Sequence, residues 1–273
     1  MVFKFDTLEM MGLTLRCSGL EGGTSKRKMD ERGDVMGGVT ESGFWIVAAV
    51  VVVAVLMILV VRKKQLIRGE GFRKLLHFIC LVLLGVWTYV FPTWKESVIG
   101  MALFVIVIFP VFKLLEKTKW FEKFLAARKK GELANSLVLT GIMFILVTLT
   151  CQGLFDSKLL TITSIYAWGP GDAAAALIGK RFGKHKIGRD GLKSAEGTAA
   201  MFITAFACVA ILLGVYGELS LGILLVTALL TALGAAASEL CSKNGNDTII
   251  CPLTSMILLL ATLYLSGNLA IAF

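Results

Sequence analysis

The chain has 273 residues, of which 56% are hydrophobic and 17% are charged, and its net charge is +9. This composition excludes a soluble globular protein, because so few polar residues cannot cover the surface of a folded chain of this size. The positive charges stand in short loops between apolar runs rather than on one soluble face, so they give no reason to expect nucleic-acid binding. The composition predicts a polytopic membrane protein.

Residues 1–43 differ from the rest of the chain, because they are rich in glycine and in charges of both signs and poor in aromatic residues. Such a segment cannot bury enough apolar surface to fold. We therefore expect a disordered N-terminal tail without catalytic function, followed by one membrane-embedded catalytic domain over residues 44–273. No apolar core follows the first charges of the tail, which argues against a signal peptide.

Eight apolar runs follow the tail, and each is close to the roughly 20 residues that a helix needs to cross a bilayer. The sequence therefore predicts an all-α fold, a polytopic integral membrane helical bundle with seven or eight transmembrane helices. Gly169-Pro170-Gly171 in the fifth run and Pro252 in the eighth predict a kink or a break in these two helices. The runs lie at about 44–61, 75–92, 96–112, 133–152, 158–179, 195–216, 219–240 and 250–273.

Lys and Arg alternate between the loops that connect these runs. The first, third and fifth loops carry six, seven and six of them, whereas the second, fourth and sixth carry one, one and none. Because cytoplasmic loops of membrane proteins are enriched in Lys and Arg, this alternation predicts that the odd-numbered loops lie in the cytoplasm and both termini outside.

The segment 112–130, in the third loop, has a pattern of its own. Its Leu, Trp and Phe residues recur at mostly helical spacing, with Lys and Glu between them. This pattern predicts an amphipathic helix that lies on the cytoplasmic membrane surface and has no catalytic role.

Most of the unusual polar residues lie at the predicted cytoplasmic ends of the helices. Arg73, Lys74 and His77 share one helical face, because His77 follows the two cations by four and three residues. Asp172 lies well inside the fifth apolar run, where a carboxylate is costly and usually functional. The same ends also carry Glu239, Asn246, Asp247, Lys180, Lys184, Lys186 and Lys193.

This set of side chains suits phosphoryl or nucleotidyl transfer, in which catalysis consists mostly of positioning and charge neutralisation. Cations from two loops can clamp a polyphosphate, and carboxylates from separate helices can hold a hard divalent cation. The glycines around Asp172 either let the backbone approach a ligand or only allow close helix packing. The second substrate would be a lipid, because the site opens at the membrane face. No Walker P-loop, Ser-His-Asp or HExxH pattern is present.

Six short motifs of the chain resemble, in the same order, those of the polyprenol kinase family. This family comprises the membrane-bound dolichol kinases, phytol kinases and CTP-dependent diacylglycerol kinases. The resemblance extends from about residue 73 to 255, with one departure: the family more often has Asp-Asn where this chain has Asn246-Asp247. The motifs are RKLLH at 73–77, KGEL at 130–133, GDAAAALIGKRFGKHK at 171–186, KSAEGT at 193–198, Glu239, and GNDTIICP at 245–252.

The resemblance implies transfer of the γ-phosphoryl group of a nucleoside triphosphate, usually CTP, to the hydroxyl of a lipid alcohol (a polyprenol, a phytol-like alcohol or diacylglycerol). It also implies nucleotide-bound Mg²⁺, with Asp172 and Asp247 as ligands. Asp172, Asp247 and Glu239 all stay open as the general base. The implied catalytic residues are Asp172, Arg73, Lys74, His77, Glu239 and Asp247. The implied nucleotide- or phosphate-binding residues are Gly171, Gly179, Lys180, Gly183, Lys184, Lys186, Lys193, Ser194, Glu196, Gly197 and Asn246.

Two other functions fit part of this pattern. Phosphatidate cytidylyltransferases have a similar Gly-Lys-x-Lys and Lys-x-x-Glu-Gly region, but they end in a KDxxxxxPGHGGxxDR-like signature. Here Pro252 is followed by LTSM, so that signature is missing. A transporter of an anionic solute would draw polar groups from both sides of the membrane, whereas here they cluster on one side. The lipid kinase is therefore the favoured interpretation.

Overall fold

A computed structural model describes residues 43, 45–61, 63–64, 70–115, 117–118, 132–187, 193–242 and 246–269. Within these ranges the chain forms eight α-helices, and a short π-helix (Leu149–Leu154) continues the fourth of them. The helices are α1 (Trp45–Val61), α2 (Glu70–Val90), α3 (Trp94–Leu115), α4 (Glu132–Thr148), α5 (Lys158–Phe182), α6 (Ala195–Tyr216), α7 (Leu221–Cys241) and α8 (Asp247–Leu265).

The prediction of an all-α, polytopic membrane bundle is confirmed. Six segments of the described chain are long and apolar enough to cross a membrane, and α1 is apolar but shorter. The six segments are Gly71–Val90, Trp94–Leu115, Ala134–Leu154, Ala195–Tyr216, Leu221–Cys241 and Asp247–Leu265.

The helix α5 is not among these six segments, because its sequence is more polar. Thr161, Thr163 and Ser164 are fully buried in it, and Asp172 is only 8% exposed. The helix packs against α2, α6 and α8, so these polar side chains meet protein instead of lipid. Polar groups at membrane depth are tolerated in such surroundings. The part of this helix from Leu160 to Ala175 is therefore largely buried among its neighbours.

The Gly and Pro residues that predicted a kink or a break do not interrupt their helices. The helix α5 continues through Pro170, and α8 continues through Pro252. Gly169 and Gly171 instead allow neighbouring helices to come close. A Cβ atom at Gly169 would lie 2.3 Å from a side chain of α2, and one at Gly171 would lie 2.5 Å from a sulfur atom of α6. Small residues of this kind bring helix backbones together in membranes.

A small antiparallel hairpin, which the hydrophobic pattern did not predict, connects α5 to α6. Its strands are β1 (Lys186–Ile187) and β2 (Lys193–Ser194), with Lys186 opposite Ser194. The Oγ atom of Ser194 accepts a hydrogen bond from the backbone N–H of Gly197 at 3.1 Å and so caps the first turn of α6. The hairpin therefore ends where the helix begins.

Contacts between α2 and α5 show that these helices are antiparallel and define two ends of the bundle. Lys158, at the start of α5, donates to the carbonyl oxygen of Phe91 at 2.7 Å, just after α2 ends. Lys74, near the start of α2, meets Asp172 in the second half of α5. We call the end that contains Lys74 and Asp172 the basic end, and the end that contains Lys158 the opposite end.

Two predicted segments lie wholly or mostly outside the described residues. Of the N-terminal tail, only residue 43 is described, and of the amphipathic segment 112–130, only 112–115 and 117–118 are. The tail, the domain division and the surface helix therefore stay predictions. The orientation of the basic end relative to the cytoplasm also stays a prediction.

Candidate active site

A buried ion pair between α2 and α5 lies at the centre of the candidate site. The Nζ atom of Lys74 donates to Oδ2 of Asp172 at 2.6 Å, although the two residues are 98 positions apart in the chain. Both side chains are mostly buried, with 16% and 11% of their surface exposed. A charge inside a membrane bundle needs a partner of this kind. The structure thus brings together two residues that the motifs predicted for the site.

His77 lies beside this pair, three residues after Lys74 on α2. Its Nε2 atom is 3.7 Å from Oδ2 of Asp172, which is too long for a hydrogen bond. Its ring packs edge-on against Trp168, with 4.9 Å between the ring centroids. Arg73, one residue before Lys74, is partly buried on the same helix. The RKLLH motif therefore supplies two side chains that face Asp172.

A second buried ion pair connects β2 with the end of α7. The Nζ atom of Lys193 is 2.8 Å from Oε1 of Glu239, and it also donates to the backbone carbonyl oxygen of Glu239. A third contact, at 3.4 Å, joins the same Nζ to Oγ of Ser242. Lys193 and Glu239, both predicted site residues, thus bind each other.

Asp247, at the start of α8, lies close enough to both ion pairs for their charges to act on it. Its side chain accepts a hydrogen bond from the backbone N–H of Thr248 at 3.0 Å. The charges of Asp172, Lys74 and Lys193 all act on its carboxylate. The neighbouring Asn246, which directly precedes α8, is exposed. Asp247 is therefore near Asp172 and near Lys193, the partner of Glu239.

Glu196 organises the loop that follows α5. Its carboxylate accepts hydrogen bonds from the backbone N–H groups of Lys184 and His185 at 3.2 Å, and it lies 2.7 Å from Nδ1 of His185. These contacts hold the loop against the first turn of α6. Three lysines in the last turn of α5 and in the segment after it, Lys180, Lys184 and Lys186, have exposed side chains, so they can reach an anionic ligand at the basic end.

The predicted glycines of this region lie where helices and the hairpin come close. A Cβ atom at Gly197 would lie 2.9 Å from the carbonyl oxygen of Ala175, and one at Gly183 would lie 2.1 Å from that of Gly179. The same hypothetical Cβ atom at Gly179 would meet Oγ of Ser194 at 3.0 Å. These residues therefore have a packing role, and their contact with phosphate stays a prediction.

The donor set agrees with Mg²⁺ only when the ion arrives with phosphates. Among the described residues, no three His, Cys, Asp or Glu side chains form a group that could hold a metal ion alone. Asp172 and Asp247, however, lie near enough for their charges to interact. Mg²⁺ in phosphoryl-transfer sites typically uses one or two carboxylates, waters and the substrate phosphates. The two carboxylates fit that arrangement.

Three side chains at this site were not among the predicted site residues. Trp168 contacts His77, His185 contacts Glu196, and Ser242 contacts Lys193. Trp168 lies one helical turn before Asp172, and that spacing was the only available signal. His185 and Ser242 have partners in the KSAEGT motif, Glu196 and Lys193, but no regular spacing connects them to it, so the sequence did not identify them.

Comparison with protein-family models finds no match, and comparison with solved structures finds none. Among curated proteins, a phytol kinase of Synechocystis sp. is 35% identical to this chain over 102 residues. The aligned segment covers 37% of this chain and 42% of the phytol kinase, so the chain spans less than half the length of this relative. This similarity supports the resemblance to the polyprenol kinase family that the motifs indicate.

Proposed function

We propose that this protein is a lipid-alcohol kinase, which transfers the terminal phosphoryl group of a nucleoside triphosphate to the hydroxyl group of a membrane lipid. The main support is the buried Lys74–Asp172 pair, 2.6 Å long, at the end of the bundle that also displays exposed lysines. A carboxylate and a cation held together at membrane depth suit a reaction that joins a charged donor to a lipid acceptor.

In this reaction the hydroxyl oxygen of the lipid forms a bond to the γ-phosphorus. The bond between that phosphorus and the β,γ-bridging oxygen breaks, the nucleoside diphosphate leaves, and the hydroxyl proton is released. Most of the catalytic effect in such a transfer comes from positioning and from neutralising the phosphate oxygens. Lys74 has N–H donors beyond the one that Asp172 accepts, and these can bind the transferring group.

The exposed lysines at the end of α5 and in the segment after it would bind the triphosphate tail. Lys180, Lys184 and Lys186 are the candidates, because their side chains extend from the basic end. Asp172 and Asp247 would hold nucleotide-bound Mg²⁺, which supplies charge neutralisation when it is present. Arg73 would complete the set of cations on the α2 side.

The identity and the location of the substrates belong to the same proposal. We propose CTP as the donor, because the motifs resemble a family in which CTP is usual. The acceptor would be a polyprenol, a phytol-like alcohol or diacylglycerol, and a protein that matches part of this chain is named a phytol kinase. The basic end would face the cytoplasm, where the loop charges place it.

The test is an assay of purified protein in detergent with γ-labelled CTP, Mg²⁺ and a panel of lipid alcohols. A labelled lipid phosphate is expected with the wild type, and Asp172→Asn should lower kcat at least about 100-fold. Asp156→Asn is the matched control. Asp156 lies beside Lys158 at the opposite end and has a φ of 49°, a conformation that Asn adopts readily. Elution of all three proteins as one monodisperse species would exclude misfolding.

Other products would overturn the proposal. Release of pyrophosphate from CTP with formation of a CDP-lipid would indicate a cytidylyltransferase. Absence of turnover on every lipid, with binding of an anionic solute, would favour a transporter. Near-normal activity of Asp172→Asn would remove Asp172 from the centre of the mechanism.

A further inference from the structure

His77 and Trp168 carry two buried ring nitrogens that have no role in the reaction as proposed above. Nε2 of His77 and Nε1 of Trp168 have no protein hydrogen-bond partner within the part of the chain that the structure describes. The other buried side-chain atoms without a partner there are hydroxyl oxygens, which can rotate toward carbonyls of their own helix. A ring nitrogen lacks this freedom, so each of these two atoms requires a physical explanation.

The two nitrogens belong to rings that touch each other beside Asp172. The centroids are 4.9 Å apart, and the ring planes meet at 87°. Trp168 lies four residues before Asp172 on α5, so both side chains project from the same face of the helix. His77 approaches the same carboxylate from α2, with Nε2 3.7 Å from Oδ2. Both unpartnered atoms thus belong to the centre of the candidate site.

The tautomer of His77 determines which of its nitrogens can accept a hydrogen bond. Nε2 has no protein partner among the described residues, and the proposed subsite uses the neutral tautomer in which Nδ1 carries the proton. Nε2 is then an acceptor, whereas the indole Nε1–H of Trp168 is a donor only. The two rings together offer one acceptor and one donor.

This pairing suits a hydroxyl group better than a phosphate. A hydroxyl donates one hydrogen bond and accepts others, whereas phosphate oxygens only accept and would be repelled by the lone pair of Nε2. The setting is apolar on the Trp168 side, where the indole is 1% exposed, and more open at His77, whose side chain is 25% exposed. Surroundings of this kind suit the polar end of an otherwise apolar molecule.

We propose that His77 and Trp168 form the subsite that holds the hydroxyl group of the lipid alcohol. The hydroxyl donates to Nε2 of His77 and accepts from Nε1–H of Trp168, which places its oxygen beside the Lys74–Asp172 pair. This inference rests on the proposed lipid-kinase function and identifies the residues that bind its acceptor. It concerns binding of the alcohol and assigns no destination to the hydroxyl proton.

The substitution Trp168→Phe tests the subsite, because it removes the N–H and keeps an aromatic ring. With phytol as the probe, we expect the KM for the alcohol to rise about 3- to 10-fold, which is the range for one lost neutral hydrogen bond. The KM for CTP should not change. The Tm should stay equal or rise, because a buried donor without a partner has been removed.

The matched control is Trp87→Phe. Nε1 of Trp87 donates to the carbonyl oxygen of Ser97 at 3.1 Å, at the opposite end of the bundle. Its loss should lower the Tm and leave both KM values unchanged. A lower Tm with an unchanged KM for Trp168→Phe would match this control, and it would show that the indole has a structural partner instead of a substrate.

A binding measurement separates failure of the subsite from failure of the proposed function. Phytol should raise the Tm of the wild type most, its methyl ether less and the corresponding hydrocarbon least. The alcohol can donate and accept a hydrogen bond, the ether can only accept one, and the hydrocarbon can do neither. In Trp168→Phe, the ether should raise the Tm no more than the hydrocarbon does. In His77→Phe, the alcohol should raise the Tm no more than the ether does. If the wild type shows this order of Tm values but phosphorylates no lipid, the kinase function is overturned and the subsite is not. If the wild type phosphorylates phytol and both variants keep the order of the wild type, the subsite is overturned and the kinase function is not.

Discussion

The two buried ion pairs at the basic end differ in how completely their lysines are bonded. An ammonium group has three N–H donors. Lys193 meets three acceptors: Oε1 of Glu239, the carbonyl oxygen of Glu239 and Oγ of Ser242. Lys74, among the described residues, donates only to Asp172. Lys193 therefore has no N–H donor left for a ligand, whereas Lys74 has two.

We infer from this difference that the Lys193–Glu239 pair is a structural contact and the Lys74–Asp172 pair a catalytic one, although both pairs consist of one lysine and one acid. Lys193 joins β2 to the end of α7 and so holds the loop that carries the exposed lysines. Lys74 keeps Asp172 in place and retains donors that can contact a phosphoryl group. We therefore expect the two pairs to respond differently when both of their charges are removed together.

The largest effect is expected at the first pair. Lys74→Met alone leaves the Asp172 carboxylate buried without its partner and should cost about 3–5 kcal/mol of unfolding free energy. The double variant Lys74→Met with Asp172→Asn should recover most of that stability. It should nevertheless keep a kcat at least about 100-fold below that of the wild type, because the catalytic charges are missing. Thermal unfolding in detergent and the labelled-CTP assay measure the two quantities.

If this double variant recovered its activity together with its stability, the inferred difference between the two ion pairs would be wrong. In that case the Lys74–Asp172 pair would serve the fold alone, and the catalytic charges would have to come from elsewhere in the site. Asp156→Asn again provides the control, since Asp156 forms no part of the basic end.

The second pair should behave in the opposite way. Lys193→Met or Glu239→Gln alone should lower the unfolding free energy by about 3–5 kcal/mol, and the double variant should recover most of this loss. Because the pair is a tether in this interpretation, the double variant should keep kcat within about tenfold of the wild type. A 100-fold loss of kcat in a stable double variant would show that Lys193 or Glu239 contacts the substrate.

The contrast between the pairs also shows what the sequence alone could predict. The apolar runs located the eight helices that the structure describes, and the spacing of Arg73, Lys74 and His77 gave their shared face, because both signals are local. The functional role predicted for Asp172 followed from its place in an apolar run. These features need no knowledge of which helices touch.

The partners of the polar residues could not be predicted in the same way. Lys193 belongs to a basic loop, and the pattern alone made it equivalent to Lys184 or Lys186. Its burial against Glu239 depends on the packing of α6 against α7 and on a two-residue strand that is too short to give a pattern. The unpartnered nitrogen of Trp168 is likewise a property of the packed bundle, since its sequence context is that of an ordinary core residue.

The smallest expected effect tests whether the third acceptor of Lys193 contributes to the tether. Ser242 donates from Oγ to the carbonyl oxygen of Glu239 at 2.9 Å and also meets Lys193, whereas Ser266 makes the same local bond to Leu263 at 3.1 Å. Ser242→Ala should therefore cost about 0.5–1.5 kcal/mol more unfolding free energy than Ser266→Ala, with kcat unchanged in both variants. Equal losses in thermal unfolding would mean that the 3.4 Å contact stabilises nothing. Lys193 would then have one donor free after all, which would bring the second pair closer to the first.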